Sequence, residues 1–163
     1  MEALIRPFAR EDLLRLKGKA PGDAFAHHAE RLAWQEENRG LYLVAWRGDD
    51  VAGRATLLWS SKYPEVRQQL PGCREVNALE ANPQRQGVGR ALMSAAQDES
   101  RARGSSSVGV AVEPWNTDAR SFYEQLGYRD WGGDSVCDEW DEYEAGVLAR
   151  HYADTCDYLI LPV

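Results

Sequence analysis

Gln84-Arg85-Gln86-Gly87-Val88-Gly89-Arg90-Ala91 is the stretch on which the reading of this chain turns. Ahead of it, Glu75-Val76-Asn77-Ala78-Leu79-Glu80-Ala81 has the composition of a strand. Behind it, Ala91-Leu92-Met93-Ser94-Ala95-Ala96 opens an apolar, helix-forming run. Two glycines one residue apart therefore stand where a strand turns into a helix. Glycine lets the backbone bend sharply there and lets a ligand approach the N–H groups with no Cβ in the way. The first N–H groups of a helix have no internal partner, and the helix dipole leaves partial positive charge beside them. Arg85 and Arg90 add formal positive charge, and phosphate suits such a site. A plain tight turn uses the same residues, so the rest of the chain has to decide. Position 92 is Leu rather than the third glycine of a dinucleotide fingerprint, and the Gly-Lys-Ser/Thr ending of a nucleotide P-loop is missing.

With 163 residues, the expectation is one domain over residues 1–163, large enough to bury a core without staples. Hydrophobic residues make up 44% and charged residues 28%, as in soluble globular proteins. Three cysteines, Cys73, Cys137 and Cys156, cannot all pair and show no Cys-x-x-Cys spacing, which points to a reducing compartment. The charged start from Met1 to Asp12 does not read as a signal peptide, and no apolar run reaches the length of a membrane span. The expected location is cytoplasmic, with neither nucleic acid nor membrane as a partner.

Around the glycine loop the elements fall into order. Ala3 to Arg6 reads as a strand closed by Pro7, and Ala9 to Lys17 as a short helix. A second helix runs from about Asp23, read as its N-cap, to Asn38. His27 and His28 are adjacent on it and point to different faces, which speaks against a metal site; none is expected. Leu41 to Trp46 and Val51 to Trp59 flank a Gly-Asp turn as a hairpin, and Ser60 to Gly72 reads as a loop. A helix from about Gly89 to Arg103 and a strand from Ser106 to Val112 follow the loop. Asn116 then caps a helix with Ala119, Phe122, Tyr123 and Leu126 on one face. Strands are expected to start at Tyr128 and to run from Asp157 to Val163; Asp134–Glu144 and Gly146–Tyr152 stay unassigned. The fold class is α+β, a mixed, mostly antiparallel central sheet with helices on both faces.

Gln84, Gly87 and Gly89 fit Gln/Arg-x-x-Gly-x-Gly/Ala, and this resembles the acyl-CoA pyrophosphate loop of the GNAT (N-acetyltransferase) superfamily. Glu113 to Tyr128 resembles that family's second signature, with Asn116 and Ala119 ahead of Phe122-Tyr123 and a Leu126-Gly127-Tyr128 ending. Ile5-Arg6-Pro7, Val51-Ala52-Gly53 and Leu159-Ile160-Leu161 also look like the family, so the resemblance runs nearly the whole chain in order. One departure is that Pro83 touches Gln84 directly, where the family has two residues between. Either the turn is shorter or the strand register shifts, which leaves open the face on which Leu79, Glu80 and Ala81 lie.

The resemblance implies acetyl-CoA as co-substrate and direct transfer to a primary amine. The backbone of Gln84, Arg85, Gln86, Gly87, Val88, Gly89 and Arg90 would hold the pyrophosphate. The edge of Leu79–Ala81 would take the pantetheine arm as an added strand, with Asn116 in reach of it. Tyr123 resembles the family's general acid, donating to the departing thiolate; packing alone also accounts for its place on the helix's apolar face. For the base, Glu80 is the candidate, read as sharing a face with Val76 and Ala78, and Glu75 the fallback; a solvated strand-end charge is the plain reading of either. The cysteines read as packing residues. A small cationic acceptor is expected from the acidic run Asp134 to Glu144, with Trp140 and Tyr143 interleaved, although a solvated acidic loop has the same composition. An acyl-CoA-binding module without turnover is the alternative, as is transfer to oxygen or of a longer acyl chain. A homodimer is compatible with the family.

Overall fold

The computed structural model describes residues 2–163. Its elements run β1 (Leu4–Pro7), α1 (Arg10–Leu16), α2 (Gly22–Glu36), β2 (Gly40–Arg47), β3 (Asp50–Leu58), α3 (Pro64–Gln69), β4 (Cys73–Ala81), α4 (Val88–Ala102), β5 (Ser107–Val112), α5 (Thr117–Gln125), β6 (Arg129–Asp130), β7 (Val136–Glu144) and β8 (Val147–Pro162). The strands form one sheet in the order β1-β2-β3-β4-β5-β8-β6, with β7 paired to β8 off that path. Every pairing is antiparallel except β4 with β5. This is the mixed, mostly antiparallel α+β sheet expected.

α4 shows why the helix after the glycine loop docks where it does. Val88, Leu92, Met93 and Ala96 recur at helical spacing and are all buried against Leu43, Ala55, Leu57 and Val76 of the sheet. Each fully buried side chain of that size contributes roughly 1.5–3 kcal/mol, so the stripe anchors the loop ahead of it. On the opposite face, Phe8, Leu16, Leu32, Tyr42, Val44 and Trp46 form a second core under α1 and α2.

Several expected boundaries need correction. α2 starts at Gly22 behind Pro21, so Asp23 lies in its first turn instead of capping it. The stretch read as a loop contains α3, with Pro64 at its start, where a missing N–H costs nothing. The unassigned acidic run is β7, which pairs with β8 from Val136↔Cys156 to Glu144↔Val147. The last strand is therefore 16 residues long, not the short terminal strand expected.

Candidate active site

β4 and β5 share a ladder only between Cys73–Glu75 and Ser107–Gly109. Beyond it, β4 continues to Ala81 paired with β3 alone, and β5 continues to Val112 paired with β8. The two strands therefore part, and the inner edge of β4 keeps unpaired N–H and C=O groups. Such an edge accepts an extended, amide-bearing ligand as an added strand. A cleft of about 840 Å³ opens at this divergence. Glu75, Asn77, Ala78, Leu79 and Glu113 lie along its floor, and Asn116 and Tyr123 of α5 border it.

The glycine loop follows from the end of β4. Gly87 has φ 82°, a left-handed conformation that favours glycine, and it caps α4, whose first turn keeps free N–H groups. A Cβ on Gly87 would meet nothing within 4 Å, so the backbone angle and not space calls for glycine. Gln84, Arg85, Gln86, Gly87 and Arg90 are exposed, Gly89 is partly so, and Val88 is buried in the core. Exposed N–H groups at a helix start with two arginines alongside make a donor set that fits a pyrophosphate. Leu79 lines the cleft and packs on the core beside Ala81.

Asn116 caps α5, its Oδ1 accepting from the Ala119 N–H at 3.2 Å, which leaves its amide N–H₂ to other partners. Tyr123 packs against Phe122 and Tyr128 with ring centroids 5.2 and 5.8 Å apart. Burial, with smaller contributions from Tyr128 and Glu113, pushes its phenol well above the usual range. It therefore keeps its proton at any working pH.

Glu80 is not where the sequence reading put it. Ala78 has φ 54°, and the register of β3 with β4 shifts between Arg54 and Thr56, so β4 carries a bulge there. One extra residue reverses the alternation that follows. Glu80 consequently lies opposite Arg54 and away from Val76. Its side chain is 58% exposed and accepts from Arg54 Nη2 at 2.8 Å. It faces a second, smaller cleft with His28 and Lys19, and does not meet Tyr123 in the main one.

Glu75 does lie in the main cleft, and it is 1% exposed. Ser61 Oγ–H and the Tyr158 hydroxyl donate to its Oε1 at 2.5 and 2.8 Å, and the Lys62 N–H donates to Oε2 at 3.1 Å. Burial outweighs these bonds and raises its pKa above the usual carboxylate range. Sequence reasoning missed Ser61 and Tyr158. A signal was present in Gly109, in the middle of the strand Val108-Gly109-Val110. A Cβ there would fall 2.1 Å from Tyr158 Oη, so only glycine lets that ring cross the strand to Glu75.

Two further walls complete the cleft. α2 contributes His27, Arg31 and Trp34, and the β7–β8 hairpin contributes Asp138, Glu139, Trp140, Asp141 and Tyr143. An ion pair between Lys62 and Asp138 ties the hairpin to the segment after β3. Trp140 stacks on Tyr152 at 4.7 Å.

A sequence profile described as the acetyltransferase (GNAT) family matches residues 9–128, most of the chain. This chain belongs to the GNAT family. Mycothiol acetyltransferase of Geodermatophilus obscurus is 30% identical over 118 residues, covering 64% of this chain and 37% of that protein. The GNAT chain thus spans little more than a third of that relative's length. Among solved structures, ribosomal-protein-alanine N-acetyltransferase from Brucella melitensis superposes with a TM-score of 0.66 at 19% identity, covering 98% of this chain and 99% of that one. PaiA N-acetyltransferase from Thermoplasma acidophilum, in complex with coenzyme A, gives 0.64 at 14% identity over 100% of both chains. At these identities the GNAT chain shares their fold.

Proposed function

We propose that this GNAT chain transfers an acetyl group from acetyl-CoA to the primary amine of a small cationic acceptor. The observation that carries the reading is the parting of β4 and β5, with the glycine-capped start of α4 at its outer end and Tyr123 on its flank. Acetyl-CoA supplies the activated acetyl as a thioester. The residues do the remainder. Exposed N–H groups from Gln84 to Arg90 hold the pyrophosphate, and the free edge at Leu79–Ala81 and the Asn116 amide hold the pantetheine arm.

In the transfer, the amine nitrogen bonds to the acetyl carbon as the carbon–sulfur bond breaks. Of the two protons an ammonium group gives up, one ends on sulfur and one leaves to solvent. Tyr123 is the donor to sulfur. Its raised pKa keeps it protonated, and the same desolvation that raises the phenol raises the thiol.

Glu75 takes the place first given to Glu80 as base, acting through water. Among the described residues its Oε2 accepts only the Lys62 N–H and so has a lone pair left. Its raised pKa moves it toward the range where a base works near neutral pH. The acidic, aromatic face of the hairpin supports a cationic acceptor, since carboxylates attract an ammonium and a ring can stack on it. The test is incubation with acetyl-CoA and a panel of amines, following free thiol. Release that depends on the amine supports the reading; binding of acetyl-CoA with no release for any amine would replace it with a sensor module.

A further inference from the structure

Arg31 is 9% exposed, yet among the described residues no carboxylate lies within hydrogen-bond distance of it. Its Nη1 donates to Asn77 Oδ1 at 3.0 Å, and its guanidinium stacks on the Trp34 ring at 3.9 Å. Its Nε has no partner among the described residues. The Glu30 Oε2 stands 3.8 Å away on a side chain that is 56% exposed. Other arginines here are treated differently: Arg6 grips Asp12 at 2.6 and 2.8 Å, and Arg54 has Glu80. A buried cation whose ion-pair partner is one long contact to a largely exposed carboxylate is poorly compensated for its lost water.

His27 precedes Arg31 by four residues on α2, so the two share a face of the helix. It lines the same wall, and its Nε2 is likewise buried without a partner. Burial and the charges of Arg54 and Arg31 hold its pKa down at about 3, so the ring is neutral and has one N–H to give. Arg31 is tied to Asn77, the residue directly before the Ala78 bulge. One strand residue is about 3.3 Å, so this pair of donors sits close to the parting of β4 and β5, where transfer is proposed. Across the cleft stand Asp138, Glu139 and Asp141 of the hairpin. The hairpin wall is acidic, and on the α2 wall Arg31 is the cation, beside Glu30 and the neutral His27.

We infer that the acceptor carries an anionic group beside its amine, held by Arg31 and His27, and is therefore a basic amino acid, or a derivative of one, with a free carboxylate. This rests on the amine-transfer reading and narrows it. The carboxylate completes the buried guanidinium on the α2 wall, while the ammonium and any further cationic group face Glu75 and the hairpin.

The experiment uses matched pairs: amino acids, basic ones included, each against its amide and its decarboxylated amine, with acetyl-CoA and thiol release as readout. The free acids are expected to show kcat/KM about 10- to 100-fold above their partners, as for loss of a charge-assisted hydrogen bond. In R31Q the preference should fall to about twofold or less, with the KM for acetyl-CoA unchanged. If R31Q does not fold, the wild-type pairs alone decide. Amides and decarboxylated amines reacting as well as the acids would overturn the anion site and leave amine transfer standing. So would an R31Q that loses both members of each pair by one factor, which is the mark of a structural arginine. Thiol release from no pair at all would overturn this inference and the amine-transfer reading together.

Discussion

Tyr158→Phe removes one oxygen from the middle of the molecule and should be felt at the surface of the cleft. The ring stays, with its edge contacts to Tyr63 and Trp131 at 5.8 and 5.7 Å, so packing is preserved. What is lost is the donor to Glu75 Oε1 at 2.8 Å, leaving Ser61 and the Lys62 N–H on a carboxylate that is 1% exposed. A hydrogen bond to a charged group is worth about 1.5–3 kcal/mol, so losing it should raise the Glu75 pKa further. That bond lowers the Glu75 pKa in the wild type, which fixes the direction. With Glu75 as base, the acidic limb of the kcat/KM profile should move up in pH with it. Stability carries the matching sign. A carboxylate whose folded pKa is raised costs nothing below its unfolded pKa near 4.5, and its cost grows as pH rises to the folded value. The variant's loss of stability should therefore be largest above the raised folded pKa and fade as pH falls toward about 4.5. An unmoved acidic limb, with a stability loss equal at every pH, would refute the reasoning and reduce Tyr158 to a packing residue.

Gly87→Asp places a carboxylate at the start of α4 in a left-handed conformation; it should abolish the rise in melting temperature that acetyl-CoA gives the wild type, checked by thermal denaturation. Glu75→Gln should lower kcat by about 10²-fold or more, whereas Glu80→Gln, exposed and paired with Arg54, should change it by less than about threefold. His28, with Nδ1 2.7 Å from the Tyr42 hydroxyl, has its pKa held at about 4 by burial. The unfolded imidazole takes its proton first, so between pH 6.5 and 4 the native state loses up to about 3 kcal/mol as pH falls. In His28→Gln that part of the acid slope should be missing, measured by denaturant unfolding at several pH values.

The elements that the sequence announced are those whose signal is local. The glycine loop is read from a strand, two glycines and an apolar helix, and α5 from its Asn116 cap and one apolar face. The Ala78 bulge leaves no such mark. It adds a single residue of ordinary composition, yet it turns Glu80 toward Arg54 and leaves Glu75 as the β4 carboxylate in the cleft. Nor does β7 alternate as a half-buried strand does, because beyond Val136 its residues are almost all exposed. Cross-strand pairs hold it instead, Asp141 with His151 and Glu142 with the Tyr152 hydroxyl, both at 2.6 Å. Tyr158 and Glu75 lie 83 positions apart, a distance at which no spacing rule operates.

Amine-dependent thiol release, compared between the wild type and Tyr123→Phe at saturating acetyl-CoA, is the most direct trial of the proposed chemistry. The substitution keeps the ring against Phe122 and Tyr128 and removes only the hydroxyl. Turnover should fall by about 10²- to 10⁴-fold while acetyl-CoA still raises the melting temperature. Turnover equal to the wild type's would return Tyr123 to the core and leave the cleft without its acid.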